Sequence, residues 1–92
     1  MSYHPMSSNA PQTMSQLTLA QRFLLARVAQ SGSLCRRDLT AEEIRHAERL
    51  VERGVLREVT IVGIASHDPV RLSQQLTYVC TPLGVAVAKL LE

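Results

Sequence analysis

The sequence predicts an α+β fold that is mostly helical, with three N-terminal helices, a two-stranded hairpin and a C-terminal helix. Segments with helical spacing of apolar residues lie on both sides of two runs that are rich in β-branched and aromatic residues. The chain of 92 residues, 46% of them hydrophobic and 20% charged, also has the length and composition of one globular domain. We assign that domain to residues 15–92.

Residues 1–14, "MSYHPMSSNAPQTM", are predicted to be a disordered tail. The segment has no apolar periodicity and contains no Asp, Glu, Lys or Arg, so it offers little surface whose burial could offset the entropy lost on ordering. It also lacks the basic and apolar regions of a secretory signal, and no run in the chain has the length of a membrane span. We therefore expect a cytoplasmic protein that does not contact membranes.

The first helix is predicted over residues 17–30. Four residues recur at helical spacing and indicate its inner face: Leu19, Phe23, Ala26 and Gln30. This assignment leaves Arg22 and Arg27 for the outer side. Gly32 follows the helix, as is common where a chain must take a left-handed conformation after a helical end. The six residues 34–39 leave room for a second helix of only one or two turns.

The third helix, over residues 40–53, carries the strongest local signals. Thr40 and Glu43 have the spacing of a capping box, in which each side chain bonds the other residue's backbone N–H. Gly54 predicts the end of the helix, with Val55 placed to contact Leu50 as in a Schellman motif. The start and the end of this helix are thus indicated independently.

The hairpin is predicted over residues 57–80. Its strands correspond to "LREVTIVGIA" (56–65) and "QLTYVC" (75–80), and a polar segment with an Asp-Pro turn signal separates them. We therefore expect a long polar tip. Thr81 and Pro82 then predict the start of the last helix, because threonine is a good N-cap and proline fits the first helical position.

A helical projection of residues 40–53 separates an apolar side from a charged side. Ile44, Ala47, Leu50 and Val51 form the predicted inner face, whereas Arg45, Arg49 and Arg53 follow one another every four residues on the opposite side, with His46 beside them. The net charge of +2 is too small to identify a nucleic-acid partner, so the placement of the charges must decide.

The charged side has two interpretations. Arginines in such a row are suited to bind phosphates and the edges of guanine bases. Alternatively, the face is simply solvated, because three glutamates lie within helical reach of the basic residues and can form surface ion pairs: Glu42, Glu48 and Glu52.

Three stretches of the chain resemble the winged helix-turn-helix superfamily, and in particular small MarR-like and PadR-like bacterial regulators. "RLVERGVLREV" (49–59) is similar to the end of a recognition helix that runs into the first strand of a wing. "DPVR" (68–71) resembles the tip of a wing, and "LTYVCTPLG" (76–84) resembles the returning strand and the entry to the next helix. One departure is the second helix, which the sequence reduces to residues 34–39.

The resemblance implies a winged-helix fold that binds double-stranded DNA, with helix 40–53 in the major groove and hairpin 57–80 as the wing. Arg36, Arg37 and Arg71 would add phosphate contacts if they shared the same surface. The expected DNA-binding residues are Arg36, Arg37, Arg45, His46, Arg49, Arg53 and Arg71. The function implied is transcription regulation, either sequence-specific or general. The alternative is a winged-helix module that binds a protein partner, as a phage or accessory factor, and does not bind DNA.

The last helix predicts a homodimer. Residues 85–91, "VAVAKLL", are apolar almost all round, and a helix of that kind is normally buried. We expect it to pair, through residues 82–92, with helix 17–30 and with the same helices of a second copy. The alternative is that the small side chains of Ala86 and Ala88 stay exposed while the helix packs only within its own chain.

Enzymatic and metal-binding functions are not expected. Cys35 and Cys80 lack the spacing of a zinc or redox motif, and none of the three histidines is followed by a second ligand three or four residues later. No nucleophile motif or glycine-rich phosphate loop occurs in the sequence. We therefore predict no catalytic, metal-binding or cofactor-binding residues.

Overall fold

The structure is a computed structural model that describes residues 5–92 and, for side chains, residues 10–92. Four α-helices accompany a three-stranded antiparallel sheet of order β1-β3-β2, so the α+β class is confirmed. The elements in chain order are α1 (Pro5–Ser15), α2 (Leu19–Ser31), β1 (Leu34–Cys35), a 3-10 turn (Arg36–Asp38), α3 (Ala41–Glu52), β2 (Leu56–His67), β3 (Val70–Cys80) and α4 (Pro82–Leu90). Over residues 5–92, no helix has both the length and the apolar character needed to cross a membrane.

Helix α1 occupies most of the segment that was predicted to be a disordered tail, of which residues 1–4 lie outside the described part. Ala10 is buried and Met14 packs against the core, while the helix as a whole lies along α4. The spacing of these two residues gives α1 one apolar edge. Because tertiary packing supplies most of the stability of a short helix, contact with α4 can stabilise a helix that local sequence signals do not predict.

The inner face of α2 differs from the predicted one. The buried residues are Leu24, Leu25 and Val28, whereas Leu19 and Phe23 are 69% and 65% exposed. The helix is apolar on two sides, and the side with more aliphatic volume packs into the core. The predicted row of Leu19 and Phe23 is therefore an apolar stripe on the surface.

Arg22, which was expected on the outer side of α2, is half-buried. Its Nη2 donates a hydrogen bond of 3.0 Å to the backbone carbonyl of Met14. A capping box that was not predicted fixes the start of α2, where Thr18 Oγ1 accepts from the Gln21 N–H at 3.2 Å and Gln21 Oε1 accepts from the Thr18 N–H at 3.0 Å. These bonds define the turn between α1 and α2.

The short second helix expected over residues 34–39 is absent from the described structure. Leu34 and Cys35 instead form strand β1, which pairs antiparallel with Tyr78 and Thr77 of β3, and a single 3-10 turn follows. Six residues are too few to nucleate a stable α-helix, whereas the edge of β3 offers them backbone hydrogen bonds. The sheet consequently has three strands instead of the two expected.

Helix α3 begins and ends as predicted. The Thr40–Glu43 capping box is complete, with hydrogen bonds of 3.1 and 2.9 Å. At the other end Gly54 has a φ of 79°, and the N–H groups of Gly54 and Val55 donate to the carbonyls of Val51 and Leu50 at 3.0 and 3.1 Å. This pair of bonds is the Schellman motif that the sequence predicted.

The strands of the hairpin are longer than expected, and the turn that joins them is shorter. Strands β2 and β3 pair from Leu56 with Cys80 to His67 with Val70, and an irregularity in the register lies between Ile64 and Ser66. Only two residues separate the strands, so the predicted polar tip over residues 66–74 is wrong. Residues 70–73 of that segment alternate apolar and polar side chains, which is the pattern of a strand.

The core lies where the helices cover the base of the hairpin. Leu25, Leu50, Leu56 and Tyr78 are among its fully buried side chains. Helix α4 starts as predicted, because Thr81 Oγ1 accepts from the N–H of Gly84 at 3.1 Å and proline occupies the first turn. Packing against α1 and α2 gives α4 cover within its own chain.

Candidate nucleic-acid interface

The outer face of α3 carries three arginines at intervals of four residues. Arg45, Arg49 and Arg53 are all exposed, and the inner face of the same helix contributes the fully buried Ala47 and Leu50. Side chains four residues apart on a helix are neighbours, about 5 to 6 Å apart at Cβ. The three guanidinium groups therefore belong to one surface, which we name the arginine row.

The three members of the arginine row differ in how strongly other groups hold them. Arg53 Nη1 donates to Gln16 Oε1 at 2.6 Å, which ties the end of α3 to the loop between α1 and α2. Arg49 Nη1 lies 3.9 Å from Glu52 Oε1, and both side chains are about 70% exposed. A pair that long and that exposed contributes little. Within residues 5–92, Arg45 forms no ion pair.

His46 lies beside the arginine row but is less accessible. Its side chain is 27% exposed, and its Nε2 lies 3.9 Å from Glu42 Oε1. The histidine therefore borders the row, and its own surface is partly covered.

Three glutamates share the exposed side of α3 with the basic residues, as the sequence indicated: Glu42, Glu48 and Glu52. Their carboxylates reduce the positive potential above the helix, and any phosphate that approached the arginine row would also approach them. The surface is thus of mixed charge. Its arginines are exposed to solvent, and Gln16 orients the guanidinium group of Arg53.

The 3-10 turn places Arg36 beside α3 and Arg37 beside β3. Arg36 Nη2 lies 3.9 Å from Glu48 Oε2, so it flanks the arginine row. Both Nη atoms of Arg37 lie 3.2 Å from the side-chain amide of Gln75 on β3, in the orientation where the amide oxygen accepts from them. The two adjacent arginines therefore reach towards different elements, although both line one cavity between the turn, α3 and β3.

Arg71 is separated from the other expected contacts. It pairs with Ser66 near the end of the hairpin, six residues along β3 from Thr77, where β1 also pairs. At the rise of an antiparallel strand, six residues correspond to about 20 Å. The structure therefore places Arg36 on the same side of the body as the arginine row. Arg71 lies apart from them, on the projecting hairpin.

A contact between α2 and α3 holds the arginine row in place. Arg27 Nη1 and Glu43 Oε2 are 2.5 Å apart. Backbone hydrogen bonding from Thr40, followed by the contact with Arg27, lowers the pKa of the Glu43 carboxyl below its usual value. The sequence identified Glu43 as a capping residue but not its partner, because the two residues lie on separate helices and no local spacing relates them.

Comparisons with known proteins found no relative: no family model matches the sequence, and neither the curated proteins nor the solved structures include a significant match. Within the described part of the chain, no group of three or more His, Cys, Asp or Glu side chains is arranged to hold a metal ion. Inference about function consequently depends on the surfaces described above.

Proposed function

We propose that the protein is a winged-helix regulator that binds double-stranded DNA, with α3 in the major groove and the β2–β3 hairpin as the wing. The observation that carries this proposal is the arginine row. Its helix is fixed at both ends by the capping box and the Schellman motif, and Arg27 fixes it from the side. A capped helix that presents guanidinium groups on its outer face suits the reading of base edges, because Arg binds guanine in a bidentate manner.

The order of the elements supports the winged-helix assignment. A helix, a short strand, a turn, a second long helix and a hairpin follow one another along the chain. In this interpretation the 3-10 turn takes the place of the second helix of the motif. Strand β1 then joins the wing, so that the sheet sets the position of the turn relative to α3.

Salt-dependent DNA binding is the test of this proposal. Fluorescence anisotropy with random duplexes at low salt should show binding that weakens steeply as salt rises, because bound phosphates release counterions. Each good bidentate contact to a base is worth about 1 to 3 kcal/mol, so the double variant Arg45→Ala/Arg49→Ala should bind at least about tenfold more weakly. Arg71→Ala should reduce affinity for all sequences alike.

Arg57→Ala is the matched control, because Arg57 is exposed but lies at the base of the hairpin and is not one of the proposed DNA-binding residues. This variant should bind duplex DNA with an affinity within about twofold of the wild type. A twofold change is much smaller than the loss of one bidentate contact to a base. The absence of binding at low salt contradicts the proposal, as does equal loss in the Arg57 variant and in the double variant.

The second candidate function is a winged-helix module that binds a protein. The glutamates of α3 favour it, because carboxylates next to phosphate are unfavourable while a mixed-charge surface suits a protein of complementary charge. Recovery of one specific partner with the wild type but not with the variant Glu48→Arg/Glu52→Arg, together with no shift of duplex DNA at low salt, would support this function.

We also propose a homodimer through helices 17–30 and 82–92. The apolar stripe of Leu19 and Phe23 supports the first helix as part of an interface, and on α4 Val85 and Leu90 are 44% and 46% exposed. Helix α1 covers α4 from the same chain, so burial of the last helix does not by itself require a second copy. The exposed stripe on α2 is therefore the stronger support.

A further inference from the structure

The end of the hairpin exposes four large aliphatic side chains. Val62 and Ile64 of β2 are each more than half exposed, and Val70 and Leu72 of β3 are each 68% exposed. We name these four residues the hairpin patch. Single exposed aliphatic residues are common on protein surfaces, but a contiguous group of this kind usually marks a site of interaction.

The four residues of the hairpin patch lie on one face of the sheet. Ile64 pairs directly with Leu72, and residues paired across an antiparallel ladder point to the same side. Val62 and Val70 are each two residues from one of them along a strand, so alternation places them on that side as well. Tyr78, six residues beyond Leu72 on β3, is on the same face, where it is fully buried under the helices. One face of β3 therefore carries apolar residues at both ends, buried at Tyr78 and exposed at Leu72, with the polar Gln74 between them.

The edge of the hairpin is also open and lacks charged residues. The strand order β1-β3-β2 leaves the outer edge of β2 without a partner in the described structure, and residues 59–66 contain no charged residue and no proline. Proteins usually protect such edges with lysine, proline or a covering element. An exposed apolar face next to an unprotected edge is poorly suited to DNA phosphates and well suited to another polypeptide.

We infer that the hairpin patch packs against the hairpin patch of a second copy of this chain. A patch that is apolar and uncharged is complementary to itself, as a two-fold interface requires. The four side chains expose on the order of 400 Å² per copy, within the range of functional patches on monomers. Two such patches approach the lower limit of about 1,000 Å² for a specific interface, so the dimer should be weak and depend on concentration.

This inference does not depend on the proposed function. Arg71 lies between Val70 and Leu72 on β3, and alternation turns its side chain to the opposite face. The guanidinium group therefore stays accessible when the patch is covered. Because the contact is apolar, self-association should change little with salt, whereas DNA binding should weaken steeply.

Sedimentation velocity over a range of micromolar concentrations tests the inference. In a Phe23→Glu background, which disrupts the helix interface proposed above, the chain should still associate reversibly, and adding Leu72→Glu should raise the dimer dissociation constant at least about tenfold. Ile61→Glu is the matched control, since Ile61 is 50% exposed but lies on the opposite face, and in the same background it should leave association unchanged. A wild type that stays monomeric throughout the range overturns the inference, and so does an equal effect of the two variants.

Two further variants distinguish the hairpin contact from other causes of dimerisation. Phe23→Glu alters the stripe on α2, so if it abolishes association while Leu72→Glu does not, helix packing makes the dimer and the hairpin inference is wrong. With oxidised glutathione, Leu72→Cys should form intermolecular disulfides faster than Ile61→Cys, because only the former faces its counterpart. Equal rates of cross-linking count against the inference even if a glutamate variant fails to fold.

Discussion

The base and the end of the β2–β3 hairpin share one pattern of side chains and have opposite environments. At the base, Leu56 and Tyr78 are almost fully buried, and at the end, Val70 and Leu72 are mostly exposed on the same face. Both pairs follow the period of two that is typical of a strand with one apolar side. The comparison teaches that alternation identifies which face of a sheet is apolar, while the neighbouring elements decide how far along the strand that face is covered.

Replacing Leu56 and replacing Leu72 by alanine should give the largest difference in the free energy of unfolding. Leu56→Ala removes a buried side chain at the base and leaves a cavity, so the free energy of unfolding should fall by about 2 to 5 kcal/mol. Leu72→Ala at the exposed end should change it by less than about 0.5 kcal/mol. Urea unfolding of both variants measures the difference. A similar loss in both would mean that the end of the hairpin is already covered under the conditions of the measurement.

Two glycines permit a second comparison of base and end. A Cβ atom on Gly84 of α4 would lie 1.9 Å from the backbone oxygen of Val55, whereas a Cβ on Gly63 would meet nothing nearer than Ser73 Oγ at 3.9 Å. Gly84→Ala must displace the start of β2, at a cost of about 1 to 3 kcal/mol. Gly63→Ala should be neutral or slightly stabilising. Thermal unfolding of the two variants checks the prediction, and equal midpoints would exclude the close approach of α4 to Val55.

The smallest expected effect concerns Tyr78. Its Oη is buried and has no hydrogen-bond partner among the described residues, so Tyr78→Phe should change the free energy of unfolding at neutral pH by less than about 1 kcal/mol, in the stabilising direction if at all. Burial raises the pKa of this hydroxyl above its ordinary value of 10.0.

The raised pKa gives the same variant a pH dependence. Because the folded state resists ionisation of Tyr78, the wild type should lose stability as the pH rises above the ordinary tyrosine pKa, where the unfolded chain releases the proton. Tyr78→Phe should lose less stability over that alkaline range. Unfolding curves recorded at neutral and alkaline pH measure both slopes, and parallel slopes would contradict burial of the hydroxyl.

Local signals predicted the parts of the fold that local interactions determine. The Thr40–Glu43 capping box, the glycine that ends α3 and the threonine cap of α4 all depend on residues a few positions apart. By contrast, α1, β1 and the inner face of α2 depend on what packs against them. In the sequence, Leu19 and Phe23 have the same helical spacing as residues that prove to be buried. Which side of α2 is buried depends on how the helix packs against its neighbours.

The candidate interface could be predicted to a similar extent. Helical periodicity placed Arg45, Arg49 and Arg53 on the outer side of α3, where the structure has them. The groups that hold this surface, Gln16 and Arg27, are distant in sequence and could not be found from spacing. The hairpin patch had a sequence signal in the short alternation of residues 70–73, which the Asp-Pro turn and the polar residues around it obscured.

The joint between α3 and the hairpin has a mechanical consequence. Val55 follows Gly54 directly into β2, and Thr81 binds both residues, through its hydroxyl to the Gly54 carbonyl and through its N–H to the Val55 carbonyl at 3.1 Å. These hydrogen bonds join the end of α3 to the start of the hairpin. Strand β2 then extends from this joint over 12 residues, about 40 Å. If α3 and the hairpin move together, a small rotation of α3 on a binding surface displaces the far end of the hairpin by a much larger distance.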